Sequence, residues 1–128
     1  MYKSMCSALT AQNATETVKT LVDTITVPQG VKTLVGVGIQ LHPKGFTTLE
    51  TVSAILELES DDMAPWGGTQ AFLSPVMNPV GGVEGVALQP YIHPTNIPVT
   101  AGSHIKASMT YDMALTITPS SRVQFIFE

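Results

Sequence analysis

Cysteine is almost missing. Cys6 is the one thiol among 128 residues, so no internal disulfide can form and a secreted framework stapled by bridges is excluded. Cationic side chains are scarce too, six Lys and Arg against ten Asp and Glu. A net charge of -4 argues against sequence-independent nucleic-acid binding, which draws its affinity from Lys and Arg neutralising phosphates. All charged residues together make up 12%, half of the roughly 25% usual in soluble proteins. A single Trp leaves too little ring surface for the aromatic-lined groove of a glycosidase. No run reaches the ~18 consecutive apolar residues of a membrane-spanning helix. The stretch from Met5 to Ala11, broken by Ser7 and Thr10, falls short of a signal-peptide core.

Thr, Val and Ile, by contrast, are abundant and fill 37 of the 128 positions. Branched at Cβ, they suit pleated, half-buried surfaces better than helices. Alternation with a period of two supports this. Val31, Thr33, Val35, Val37, Ile39 and Leu41 fall on one face of a strand, with Leu34, Gly36 and Gly38 on the other. From Leu49 to Glu59 the inward set is Val52, Ala54, Leu56 and Leu58; a helix is the alternative there, and the β-branched Thr51, Val52 and Ile55 favour the strand. Ile105, Ala107, Met109, Tyr111, Met113, Leu115 and Ile117 alternate over a longer stretch, followed by Val123, Phe125 and Phe127 in a last strand expected to pair back on it across Pro119-Ser120-Ser121. A strand over 18–27 precedes the turn Pro28-Gln29-Gly30. Between Ser60 and Gly102, Pro and Gly leave room for short strands at 69–73, 83–92 and 97–99. The expected fold class is all-β: an antiparallel β-sandwich, a single jelly roll of about eight strands. Its domain covers 18–128, behind an irregular N-terminal arm, 1–17, too polar to join the core.

No catalytic signature stands out. His42, His93 and His104 never occur at ligand spacing and read as turn residues. No nucleophile elbow or phosphate loop is present. The chain is expected to be no enzyme, with no cofactor and no small-molecule substrate. Glu57, Glu59, Asp61 and Asp62 could converge at a strand end as oxygen ligands for calcium, against the plainer reading of a solvated acidic edge. Trp66, inside Ala64-Pro65-Trp66-Gly67-Gly68, reads as an anchor for a loop or a neighbouring subunit, and otherwise as a ligand platform. A surface so poor in charge favours association with copies of itself.

With its N-terminal arm, its β-domain over 18–128 and its C-terminal strand, the chain resembles the single jelly-roll capsid and capsid-associated proteins of icosahedral viruses. The resemblance implies a structural, self-assembling subunit of a virion, assembled in the host cytoplasm, whose partners are its own copies and other coat proteins. Jelly-roll coats that package single-stranded RNA commonly carry a basic arm, and residues 1–17 offer only Lys3. That departure points to a shell around double-stranded DNA, an empty shell, or a decoration protein. Tyr2, Met5 and Leu9 are the arm's candidates for contact with a neighbour. Two other readings stand beside this one. The first is a carbohydrate- or ligand-binding module using Trp66 and the Glu57 to Asp62 edge. The second is an extracellular filament joined by strand donation.

Overall fold

A computed structural model describes residues 2–7, 10–11, 19–42, 53–74, 91–111 and 120–128. They contain nine strands: β1 (Lys3–Cys6), β2 (Thr10–Ala11), β3 (Thr20–Thr26), β4 (Thr33–His42), β5 (Ala54–Glu59), β6 (Thr69–Leu73), β7 (Tyr91–Pro98), β8 (His104–Tyr111) and β9 (Ser120–Phe127). One 3-10 turn, Asp61–Trp66, joins β5 to β6. Sheet A has the order β1-β9-β4-β7, with β2 also paired to β9; sheet B has the order β3-β8-β5-β6. All pairings are antiparallel. With β2 set aside, every connection but β5–β6 passes from one sheet to the other, the connectivity of a jelly roll. Among the described residues, no helix is long and apolar enough to cross a membrane.

Period-two patterning explains the core. In β5 the buried set is Ala54, Leu56 and Leu58; in β8 it is Ile105, Ala107, Met109 and Tyr111; in β9 it is Val123, Phe125 and Phe127. These faces meet Val37 and Ile39 of β4 and Val22 and Ile25 of β3 in one continuous cluster. The β6 strand takes the expected bounds, 69–73. The expected positions 18, 49–52, 83–90 and 112–117 lie outside the described residues.

Four expectations need correction. The first concerns β4, where Leu34 is fully buried although alternation puts it on the face opposite Val37 and Ile39. The register shifts between Leu34 and Gly36 against both β7 and β9. This bulge at half-buried Val35 moves Leu34 onto the side of Val37 and Ile39. Thr95 donates its hydroxyl to the Leu34 carbonyl there (2.6 Å). A similar shift between Leu21 and Asp23 exposes Leu21 and buries Val22.

The second correction is that β9 does not pair back on β8. The two strands belong to different sheets, because one buried face per strand suits facing sheets as well as it suits neighbours. The third is that the expected arm, 1–17, is not irregular throughout. Lys3–Cys6 pair with Phe127 to Gln124 as a strand of the roll itself, and Thr10–Ala11 pair with Ser121 and Ser120. Ser7 extends the first pairing: its amide donates to the Val123 carbonyl and its hydroxyl accepts from the Val123 amide. Only Met5 of β1 packs towards the core, so four residues carry too little periodicity to announce a strand. The fourth is that the histidines are not turn residues: His42 ends β4, His104 begins β8, and His93 lies within β7, where it bonds the Leu73 carbonyl (2.7 Å) and packs against Phe72.

Tyr111 Oη of β8 and Ser121 Oγ of β9 are buried as neighbours inside the sandwich, and neither makes a well-formed hydrogen bond with a described residue. Burial drives the Tyr111 phenol well above its ordinary value, and the neighbouring Ser121 hydroxyl opposes this weakly. Leaving a buried hydroxyl unpaired costs about 1–3 kcal/mol. Tyr111→Phe is therefore expected to leave stability unchanged or to raise it in urea unfolding; a loss above about 1.5 kcal/mol would show that the hydroxyl makes a real bond.

Candidate functional site

The reversal between β5 and β6 borders a recess on the surface. At the end of β5, buried Ser60 caps the 3-10 turn, its Oγ accepting from the Asp62 amide (3.3 Å) while its own amide donates to the Gly68 carbonyl (3.1 Å). Met63, fully buried, pins the turn to the core. The chain then doubles back through Gly67 and Gly68, both near φ +85 (82° and 90°), a conformation costly for any residue with a Cβ. Their amides donate to the Ala64 and Met63 carbonyls.

Asp62 fastens this turn to the loop between β7 and β8. It accepts from the Thr100 amide (3.0 Å), the Thr100 hydroxyl (2.9 Å) and the Ser103 hydroxyl (2.6 Å). Slight burial alone would raise the carboxyl, but these three donors outweigh it and hold Asp62 below its ordinary value of 3.8. A depressed folded-state value means that the stabilisation is complete above 3.8 and disappears as pH falls through the folded value. Asp62→Asn should accordingly flatten the fall in melting temperature on acidification below 3.8. An acid limb identical to that of the parent chain would rule out this role.

Between the two fastened loops lies a cleft of ≈ 570 Å³, within the roughly 300–1,000 Å³ of small-molecule sites. Its floor is a row across sheet B. Lys106 of β8 stands directly opposite Glu59 of β5, which stands opposite Thr69 of β6. Asp61, Ser60, Gly67 and Gly68 form one wall, Ser103 and His104 the other. The His104 Nδ1 lies 3.2 Å from the Thr26 hydroxyl.

The four candidate carboxylates do not converge. Glu57 pairs with Lys19 (3.0 Å), Asp62 is spent on Thr100 and Ser103, and only Glu59 and Asp61 line the cleft. No group of three or more His, Cys, Asp or Glu among the described residues could share a metal ion. Trp66 closes the 3-10 turn with 47% of its surface exposed, next to the wall at Gly67. Tyr2 is exposed, Met5 packs on its own chain's core, and Leu9 lies outside the described residues. Lys106, His104, Ser103 and Thr69 were not foreseen as site residues. Alternation places Lys106 and His104 on the outward face of β8, but their register against Glu59 is a property of strand pairing.

No protein-family model matches the chain, and no curated protein matches its sequence. Among solved structures the chain is similar to that of the infectious bursal disease virus Gx strain, with 11% identity and a TM-score of 0.49 over 99% of this chain. It is also similar to the VP2 subviral particle of infectious bursal disease virus, with 12% identity and a TM-score of 0.43 over 98% of this chain. The Gt strain gives 10% identity and a TM-score of 0.43 over 99%. The chain spans 32% of the length of each of these viral capsid chains.

Proposed function

We propose that the chain is a self-assembling structural subunit, of a viral capsid or its decoration, whose partners are copies of itself and other coat proteins. The outer face of sheet A carries this reading. Its central strand contributes Gly36 and Gly38, buried beneath the side chains of Ile92, Ile126 and Gln124; a Cβ on Gly36 would lie 3.2 Å from Ile92 and 3.3 Å from Ile126. Ser4, Cys6, Gln40 and Pro94 occupy other outward places, and the alternation that turns Phe125 and Phe127 inward leaves Arg122 and Glu128 on this face as charges of opposite sign. Such a flat and nearly neutral face suits burial against another subunit more than permanent hydration. The outer face of sheet B differs, displaying Glu57, Glu59, Lys106 and His104.

In this role the protein resides in the virion and assembles in the host cytoplasm, without contacting the genome, since six cationic groups cannot neutralise many phosphates. Native mass measurement and particle imaging of the purified chain test the reading. Large closed particles are expected, and Ile92→Glu, which puts a charge at the centre of the sheet A face, should abolish them while leaving the melting temperature unchanged. A chain that stays monomeric at all concentrations, or particles indifferent to Ile92→Glu, would contradict the proposal.

A further inference from the structure

The cleft above sheet B has a use that assembly does not account for. Glu59 and Lys106 occupy directly opposed positions on neighbouring strands, where unlike charges ordinarily attract and pair. Here they do not: neither of their side chains, nor that of Asp61, makes a hydrogen bond or ion pair with any described residue. Two carboxylates and an ammonium thus face a recess of ≈ 570 Å³ with their hydrogen-bonding capacity unspent.

Its lining narrows the chemistry of an occupant. No wholly apolar side chain lines the cleft, and its apolar surface comes from aliphatic stems and glycine backbone between polar groups, so hydrogen bonding and not apolar burial selects the occupant. Glu59 and Asp61 repel phosphates and other anions, and Lys106 opposes a metal cation. A neutral molecule able to donate to carboxylates and accept from an ammonium within a few ångströms engages all three groups without repulsion from any. A hydroxyl does both, and neighbouring hydroxyls on one ring can engage Glu59 and Lys106 together. Thr69 and Ser103 add further polar groups at the margin.

We propose that this cleft binds a neutral saccharide, with Glu59 and Asp61 accepting from its hydroxyls and Lys106 donating to them. Half-exposed Trp66 precedes Gly67 of the wall in sequence but does not line the cleft, so the site rests on Glu59, Asp61 and Lys106. The site does not depend on the assembly reading and would operate on a monomer or a particle alike.

Saturation-transfer NMR tests this on the chain in whatever oligomeric state it adopts. The probes are the methyl glycosides of glucose, galactose, mannose, fucose and the N-acetylhexosamines, together with lactose and maltose, with free serine and methyl phosphate as charged comparisons. At least one sugar should receive saturation, with an affinity near the millimolar range, about -4 kcal/mol. Glu59→Gln and Lys106→Met should each weaken it about tenfold or more. Both residues are exposed, so neither change should move the melting temperature. The proposal is overturned if none of the sugars receives saturation, if binding survives both substitutions, or if only serine or methyl phosphate binds.

Discussion

Leu34→Asp is expected to unfold the domain, whereas Val35→Asp is expected to be tolerated. Leu34 is completely buried between the sheets, opposite Phe127 on one side and Ile97 on the other. A carboxylate there loses the packing of a large side chain, about 2–5 kcal/mol, and adds the cost of a buried, unpaired charge. Together these reach the roughly 5–15 kcal/mol that holds a typical domain folded. Val35, at the bulge, is half-buried and lies off the core. Urea unfolding of the two variants reads the contrast directly. Uninterrupted alternation through β4 would reverse it, so a folded Leu34→Asp chain beside an unfolded Val35→Asp chain would disprove the bulge.

Removal of residues 2–7 is expected to destabilise the domain and promote association, not to trim a dispensable appendage. Those residues include a strand of the roll, and without it β9 becomes the edge of sheet A, with Val123, Phe125 and Phe127 losing their cover on one side. A newly exposed hydrophobic edge is a template for pairing with other chains. The Lys3 ammonium also donates to the Gln29 carbonyl, tying β1 to the turn before β4. The measurement is thermal unfolding together with size distribution. A truncated chain with an unaltered melting temperature and unaltered size would show that β1 contributes nothing to the fold.

Strand identity was written in the sequence wherever alternation ran unbroken. The inward sets of β5, β8 and β9 could be read directly, because a single buried face forces every second residue to be apolar. Val35 and Val22 show where that reading stops. Each is one residue inserted into the period, and apolar residues on both sides of the insertion hide the change of face. β1 was hidden for another reason, since Lys3, Ser4 and Cys6 are exposed and only Met5 signals a core. Pairing partners are also invisible in a linear pattern. The alternation of β8 and β9 is equally consistent with a hairpin and with facing sheets. For the cleft, Glu59 and Asp61 were visible as an acidic edge, but Lys106 entered only through the β5–β8 register.

The pairing of β1 with β9 has a consequence for how the molecule comes into being. Ser4 and Gln124, bonded side chain to side chain, stand 120 positions apart, so the first strand leaves the ribosome long before its partner exists. Until the last strand emerges, β4 has no neighbour on its β9 side and sheet A cannot close. Contacts so distant along the chain are slow to form because loop entropy must be lost before they contribute. Sheet A therefore cannot be completed before β9 has been made: its closure is an event that follows the arrival of β9, and until then β1 and β4 stay unpaired on that side.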